Sequence, residues 1–158
     1  MEVKIRIAEA RDVPQMLALV KELAVFERAP DEVTVTQDHM HDAGFGNDPV
    51  WVGWVAEVDG MIQGIAVCYE RYSTWKGRRL YLEDIIVTES ARGHRIGEQL
   101  FLECVRHAVR KDYSGMLWQV LDWNVDAIRF YDRFGASWSK EWLNGSLERE
   151  QLRNLAAQ

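Results

Sequence analysis

The sequence predicts a mixed α/β fold, and three observations support that prediction. Two apolar, strand-like runs flank Asp59-Gly60, a dipeptide typical of tight β-hairpins. After residue 80 the spacing of apolar residues alternates between the strand and the helix period, which indicates strands and helices in succession. With 158 residues, 47% of them hydrophobic, the chain can bury one sizeable core. We therefore expect a single domain over residues 1–158.

The N-terminal part predicts a strand followed by a helix. Apolar and charged residues alternate over residues 3–7, as in a half-exposed strand. Asp12 is a candidate N-cap, and Gln15 stands three residues later, where a capping box places its second partner. We expect the helix to end near Glu27. Residues 28–49 are rich in Pro, Gly and Asp, which indicates a long connection with room for one short helix.

The centre of the chain predicts three strands. Residues 50–72 form the hairpin pair, and a further apolar run covers residues 80–87. Two adjacent carboxylates, Glu83 and Asp84, interrupt this last run. Burying an unpaired carboxylate costs several kcal/mol, so their position indicates either a satisfied structural contact or chemistry.

The C-terminal part continues the alternation. A loop rich in Gly and Arg leads into a helix predicted from about Ile96 to Lys111, and a strand is predicted over residues 115–123. The next helix is predicted to start after Asn124, an N-cap residue, and to stop at Gly135. Residues 136–158 fit either short strands or a closing helix.

Charge and hydropathy exclude several partners. The formal net charge is −6, which argues against a nucleic-acid partner because phosphate binding needs a basic surface. The same charge is compatible with a cationic small-molecule partner. No apolar run approaches the ~20 residues of a membrane span. The N-terminus has no continuous hydrophobic segment of signal-peptide type. We expect a cytoplasmic protein that binds no membrane.

The cysteines and histidines do not indicate a metal site. Cys68 and Cys104 form no CxxC motif, and we expect free thiols, as is usual in a reducing cytoplasm. Cys104 falls on the apolar stripe of its helix, which favours packing over reactivity. His39 and His41 form an H-x-H with no third ligand at a suitable spacing. We therefore expect no metal.

The loop "ARGHRIGEQL" is a candidate anion site. It follows a strand and opens a helix, so backbone N–H groups and the helix dipole converge on one point. Gly93 and Gly97 allow the backbone to approach a ligand closely. Taken alone the pattern fits a surface turn equally well, because it matches neither a P-loop nor a dinucleotide fingerprint.

Seven motifs in order along the chain identify a resemblance. They are "IRxAxxxD", "KELAxFE", "GFGxxP", "WVAEV", "LYLEDxxV", "RGxxIG" and "WNxxAIxFYxRxGA". Together they resemble the GNAT superfamily of acetyl-CoA-dependent N-acetyltransferases, and within it the spermidine/spermine (diamine) and thialysine acetyltransferases. The resemblance covers about Ile5 to Ala136. Beyond it, "SWSKEWLNGS" is shortened relative to that subfamily, at the acceptor end of the pocket.

The resemblance implies a central, mixed and largely antiparallel sheet, splayed between the fourth and fifth strands and flanked by helices. It implies a β-bulge near Asp84, acetyl-CoA as co-substrate and a homodimer. It also assigns contacts with the cofactor to one strand, the loop and the last helices: Ile85, Ile86, Val87, Arg92, Gly93, His94, Arg95, Ile96, Gly97, Glu98, Asn124, Ala127 and Tyr131.

For catalysis the resemblance implies a general base and a general acid. Glu83 is the candidate base for the amine, Tyr131 the candidate acid for the departing thiolate, and the backbone N–H of Ile85 the donor to the oxyanion. The residues that would bind the amine are Phe26, Glu27, Glu83 and Asp84. Each side chain also has a structural interpretation. Glu83 and Asp84 could be hydrogen-bonded by loop backbone or by an arginine, and Tyr131 could pack on the core face of its helix. Glu27 could lie on a solvated face at a helix end.

The leading hypothesis is an N-acetyltransferase that transfers an acetyl group directly to a small cationic amine, such as a polyamine, a diamine or a thialysine-like amine. One alternative is acetylation of a protein amine or an antibiotic-like amine. Another is a non-catalytic sensor that binds acyl-CoA. An acidic lining suits a slender dication better than a bulky polypeptide.

Overall fold

The structure is a computed structural model that describes every residue from Met1 to Gln158, and it contains one five-stranded sheet. The strands are β1 (Val3–Ile7), β2 (Val52–Val58), β3 (Met61–Ser73), β4 (Gly77–Val87) and β5 (Met116–Leu117). They lie side by side in chain order. The first four are antiparallel to their neighbours and β5 is parallel to β4, so the predicted mixed, largely antiparallel sheet is confirmed.

Five α-helices accompany the sheet: α1 (Val13–Phe26), α2 (Gln37–Phe45), α3 (Ile96–Arg110), α4 (Val125–Asp132) and α5 (Arg149–Ala156). Short 3₁₀ turns cover Ala10–Asp12, Pro30–Glu32 and Glu89–Ala91. The chain divides into two compact units, Met1–Leu121 with the sheet and α1 to α3, and Asp122–Gln158 with α4 and α5. None of the helices combines the length and the apolar character needed to cross a membrane.

In the first unit, α1 covers one face of the sheet. Met16 and Leu17 of α1 belong to the same buried core as Ile65 and Val67 of β3 and Ile86 of β4. Met16 and Ile65 are fully buried, so this contact removes large apolar surfaces from water and fixes α1 against the central strands.

The opposite face of the sheet carries α3. A Cβ at Gly64 of β3 would lie 3.1 Å from both Ile96 and Leu100, so the glycine lets α3 approach the sheet closely. On the same face the thiols of Cys68 and Cys104 are free and buried, with their sulfur atoms 3.5 Å apart. The predictions of free thiols and of a packing role for Cys104 are confirmed.

The start of α1 differs from the prediction. Asp12 occupies the N-cap position, yet its carboxylate accepts hydrogen bonds from the Arg6 guanidinium (2.7 and 2.9 Å) and from the backbone N–H of Glu9 (2.8 Å). Gln15 likewise accepts from the backbone N–H of Ile62. The cause is the 3₁₀ turn before α1, which gives Asp12 a helical backbone (φ −83°, ψ −17°) instead of an extended cap geometry.

The fifth strand is shorter than predicted. Instead of residues 115–123, the ladder with β4 contains only Leu80↔Met116 and Tyr81↔Leu117. Beyond Tyr81, β4 therefore has no strand neighbour on that edge, in agreement with the predicted splay between the fourth and fifth strands. The physical reason lies two residues further along β4, where the register with β3 shifts and the strand bends.

In the second unit, α4 begins and ends where the sequence predicts. The Asn124 side chain accepts a hydrogen bond from the backbone N–H of Ala127 (3.2 Å), so the N-cap is confirmed. The helix ends at Asp132, and Gly135 follows with a left-handed backbone (φ +80°). The C-terminal segment, whose sequence fits either short strands or a closing helix, contains α5.

Candidate active site

The candidate active site is built around a β-bulge in β4. Val67 pairs with Asp84 and the next residue of β3, Cys68, pairs with Leu82, so Glu83 is an extra residue with no partner of its own. The prediction of a bulge near Asp84 is confirmed. In a regular strand, Glu83 and Asp84 would face opposite sides of the sheet, and the bulge removes that alternation.

The bulge brings three carboxylates together. Asp84 pairs with Val67, which belongs to the core beneath α1, so Asp84 faces the α1 side. Burial, and to a smaller extent the negative charges of Glu83 and Glu27, raise its pKa to about 6. Glu27 follows the last residue of α1, and burial raises its pKa as well. We call these three residues, which the sequence had assigned to the amine, the acidic cluster.

Burial differs between the two adjacent carboxylates. Glu83 is exposed, whereas Asp84 is only partly accessible. The desolvation that the sequence analysis associated with the strand carboxylates thus falls on Asp84. Glu83 remains the more accessible of the two to solvent and to a bound amine.

Two tyrosines lie beside the acidic cluster. Tyr69 and Tyr81 are cross-strand partners with ring centroids 5.1 Å apart. Burial and then the charge of Glu83 raise the pKa of both hydroxyls, that of Tyr69 to about 12. The sequence analysis missed Tyr69, because its position opposite Tyr81 follows from the register of β3 with β4 and not from any local pattern.

A second part of the site is the loop before α3. Gly93 has a left-handed backbone (φ +85°), and a Cβ there would meet no atom within 4 Å, so open space faces this residue. Arg95, the N-cap, is also left-handed (φ +58°). The N–H groups of the first helical turn, Ile96, Gly97 and Glu98, have no acceptor within the helix. They and the helix dipole favour an anion at this point.

Two side chains of this loop contact backbone carbonyl groups and stabilise its conformation. The Nε of Arg92 donates to the carbonyl of Val87 (3.2 Å), and its guanidinium lies 5.8 Å from the centre of the Phe26 ring. The Nδ1 of His94 lies 3.1 Å from the carbonyl oxygen of Arg92. Phe26, predicted to contact the amine, thus contacts the loop through Arg92.

The loop is also tied to α1 by a residue that the sequence analysis missed. The Glu22 carboxylate accepts hydrogen bonds from the Thr88 hydroxyl (3.0 Å) and from the backbone N–H of Glu89 (3.2 Å). No local motif signals this contact, because 66 residues separate Glu22 from Thr88. Through it, the end of β4 and the start of the loop are fixed to α1, the helix that Glu27 follows.

The predicted strand contacts lie on the open edge of β4. Ile85, Ile86 and Val87 pair with β3 on one side only, because the β5 ladder ends at Tyr81. In an antiparallel strand alternate residues direct their N–H and C=O groups to opposite edges. The groups that point away from β3 are therefore available to an extended ligand.

In the second unit, the predicted site residues lie on α4. Ala127 donates its N–H to the Asn124 cap, and the Tyr131 side chain is buried, 5% exposed. The Tyr131 ring is packed edge-on against Phe130 (5.1 Å between centroids) and lies 6.1 Å from Trp138. This environment agrees with the structural interpretation of Tyr131 and leaves its role as an acid a prediction.

A sheet that opens between two strands beside a helix N-terminus, with an acidic cluster at the adjoining bulge, is an arrangement suited to acyl transfer. The sequence profile of the Acetyltransferase (GNAT) family matches residues 15–136. The chain therefore belongs to the GNAT family and is an N-acetyltransferase.

Individual relatives agree with this assignment. The chain is 35% identical to thialysine N-epsilon-acetyltransferase of Mus musculus over 96% of both chains. It is 33% identical to spermidine/spermine N(1)-acetyltransferase-like protein 1 of Homo sapiens, over 97% of this chain and 24% of that protein. Among solved structures, an integron cassette protein from the mobile metagenome of V. cholerae superposes with a TM-score of 0.80 at 22% identity, covering 100% of this chain and 99% of that one, and shows the shared fold.

The titration of Asp84 tests the geometry of the acidic cluster. Replacing Glu83 by Gln removes the charge with the larger effect of the two that raise the Asp84 pKa, so this pKa should fall from about 6 toward its ordinary value of ~3.9. Because burial is the larger cause, the fall should be incomplete. Carboxyl-detected NMR over pH 3–9 measures it. Glu103→Gln, a half-buried carboxylate on α3 that pairs with Arg106, is the control. An Asp84 pKa that is unchanged in Glu83→Gln would mean that the two carboxylates face apart.

Proposed function

We propose that the enzyme transfers an acetyl group from acetyl-CoA directly to a small cationic primary amine, in the class of polyamines, diamines and thialysine-like amines. The observation that carries the proposal is the acidic cluster at the bulge. An alkylammonium ion is attracted to several carboxylates and must lose a proton before it can attack. The names of the relatives, which include thialysine and spermidine/spermine acetyltransferases, support the same class of acceptor.

The loop before α3 fits the pyrophosphate of acetyl-CoA. The space in front of Gly93 and the unpaired N–H groups of the first turn of α3 suit a phosphate group. When bound, the cofactor supplies an acyl group activated as a thioester. The residues proposed to hold it are Ile85, Ile86 and Val87 on β4, residues 92–98 in the loop and the start of α3, and Asn124, Ala127 and Tyr131 in the second unit.

Glu83 is the proposed general base. It is exposed beside Asp84, so it can take a proton from the amine directly or through water. Asp84 and Glu27 would attract the cation and hold the amine at the bulge. The backbone N–H of Ile85 is the proposed donor to the oxyanion, a contribution on the order of 3 kcal/mol in comparable sites. The Tyr131 hydroxyl is the proposed acid for the departing thiolate.

Three broader proposals rest on the resemblance. The two compact units form one acetyltransferase domain, because the family match at residues 15–136 crosses the boundary between them. The enzyme is a homodimer, and it acts in the cytoplasm.

An acetyl-transfer screen tests the function. The enzyme is incubated with acetyl-CoA and spermidine, putrescine, thialysine, lysine, a lysine-containing peptide or an aminoglycoside, and thiol release and acetylated product are measured. We expect turnover with the small amines and little with the peptide or the aminoglycoside. Preference for either bulky amine would refute the acceptor class, and tight CoA binding without turnover on any amine would indicate a sensor.

The anion site is tested by two glycine substitutions. Gly93→Ala places a side chain in front of the loop and strains a left-handed residue, so it should weaken binding of acetyl-CoA about tenfold. Gly60→Ala is the matched control, because Gly60 also has a positive φ (+78°) and open space around its Cβ. Calorimetric titration should show weaker acetyl-CoA binding in Gly93→Ala alone. Equal acetyl-CoA affinities of the two variants would show that the pyrophosphate does not bind at this loop.

The role of Glu83 is tested by its pH dependence. Glu83→Gln keeps the shape of the side chain and removes the base, so kcat/KM for a dicationic amine should fall ~100-fold at pH 7. The deficit should shrink as the pH approaches the amine pKa of ~10, where free amine needs no base. Wild-type rates for Glu83→Gln from pH 6 to 9 would return the residue to a structural role.

The role of Tyr131 is tested by removing its hydroxyl. Tyr131→Phe keeps the buried ring and should lower kcat ~10- to 1000-fold, while the Kd for acetyl-CoA stays within a few fold. Pre-steady-state kinetics must show that chemistry is rate-limiting. An unchanged kcat under that condition would leave Tyr131 with packing alone.

A further inference from the structure

A carboxylate on α1 holds the start of the loop before α3, and the proposed chemistry does not use it. Glu22 accepts hydrogen bonds from the Thr88 hydroxyl (3.0 Å) and from the backbone N–H of Glu89 (3.2 Å). All three residues belong to the first compact unit. Glu22 and Thr88 are half-buried, so the contact is partly shielded from water. Hydrogen bonds to an ionised group are strong in such surroundings.

The backbone N–H of Glu89 needs this acceptor because of its place in the chain. Thr88 is the N-cap of the 3₁₀ turn Glu89–Ala91, and Glu89 is the first residue of that turn. The first N–H groups of a helical turn have no acceptor within the turn, and the side chain of the N-cap residue commonly supplies one. The Thr88 side chain makes no such bond, and its hydroxyl donates to Glu22 instead. Glu22 therefore caps the turn from a different element of the fold.

A second contact from α1 holds the other end of the same turn. Phe26 is four residues after Glu22 and so lies on the same face of α1. Its ring centre is 5.8 Å from the guanidinium of Arg92, the residue that immediately follows the turn. The Nε of Arg92 also donates to the carbonyl of Val87 (3.2 Å). One face of α1 thus holds both ends of the segment from Thr88 to Arg92.

This segment determines where the proposed pyrophosphate site lies relative to β4. It connects Val87, the last residue of β4, to Gly93, the first left-handed residue of the loop (φ +85°). The proposed donor contacts both the open edge of β4 and the N–H groups of residues 93–98. Both parts can bind one ligand at once only if their separation is fixed. A segment that is ordered before binding also loses less conformational entropy on binding.

We propose that Glu22 is a positioning residue for the acetyl donor, because it orders the loop before α3 and so allows the backbone N–H groups there to bind the pyrophosphate. The inference rests on the proposed function, since it takes this loop as the pyrophosphate site. Glu22 does not touch the donor in this role, and its effect passes through Thr88 and Glu89. Loss of Glu22 should therefore weaken only the binding of donors that carry a pyrophosphate.

Acetyl-CoA and S-acetylpantetheine are the matched ligands, because they share the thioester and the pantetheine arm and only acetyl-CoA carries the pyrophosphate with its nucleotide. In calorimetric titration, Glu22→Ala should raise the Kd for acetyl-CoA about tenfold, the effect of a lost hydrogen bond to a charged group, and leave that for S-acetylpantetheine within about twofold. The amides of residues 89–98 should also exchange faster with deuterium in ligand-free Glu22→Ala. Glu103→Ala, which removes the partner of Arg106 on α3, should alter neither Kd.

Two further variants distinguish this role from a general loss of structure. Glu22→Gln keeps an oxygen for the N–H of Glu89, and its amide can donate to the Thr88 oxygen. Its Kd for acetyl-CoA should therefore lie nearer to that of the wild-type enzyme than to that of Glu22→Ala. Thr88→Val should weaken acetyl-CoA binding by itself and cause no further loss in the Glu22→Ala background. Additive losses would mean that Glu22 acts through other contacts, and would refute the inference.

The outcomes separate this inference from the proposed function. If the wild-type enzyme binds acetyl-CoA more tightly than S-acetylpantetheine, and Glu22→Ala weakens both equally or neither, the positioning role is refuted and the donor site stands. If the wild-type enzyme binds the two ligands equally, the loop is not the pyrophosphate site, and the inference is refuted together with that part of the proposed function. Both results are binding measurements, so they decide the inference even if no amine is acetylated.

Discussion

One extra residue in β4 is the constraint on which the candidate site depends. Because Glu83 has no partner on β3, the strand changes its register between Leu82 and Asp84. Leu82, before the bulge, still packs on the α3 side beside Cys68, and Asp84, after it, faces the core beneath α1. The same distortion accompanies the end of the β4–β5 ladder at Tyr81. The one extra residue thus accompanies the loss of the strand neighbour along one edge of β4, and it brings the acidic cluster together beside that edge.

This arrangement has a cost in stability. Burial and two nearby negative charges raise the pKa of Asp84 to about 6, above its ordinary value of ~3.9. The folded state therefore binds this proton more tightly than the unfolded state, so the contribution of Asp84 to stability declines as the pH rises from ~4 through 6. At neutral pH the loss is on the order of 3 kcal/mol. A bound ammonium ion would favour the ionised carboxylates and offset that loss. Electrostatic destabilisation of this kind is therefore expected at a site that binds cations.

The sequence predicted those parts of the site that have a local signal. The adjacent carboxylates stand out in an apolar run, Asn124 has the residue type of an N-cap, and the glycines of the loop mark a special backbone. Asp12 also carried a local signal, but Arg6 and Glu9 compete for its carboxylate, and tertiary contacts decided the outcome. Glu22 had no signal at all, because its partners lie 66 and 67 residues away.

Register explains the remaining gap between sequence and site. In the sequence, the arginines at 71 and 79 are ordinary charged residues of a hairpin, and only the pairing of β3 with β4 sets them opposite each other. These two arginines are well separated from the bulge. The groups that would deprotonate and hold an amine lie at residues 83 and 84, whereas Arg71 and Arg79 lie four residue pairs further along the same ladder. Because the two regions share a rigid ladder but no side chain, residues 71 and 79 can change while the geometry at the bulge stays the same.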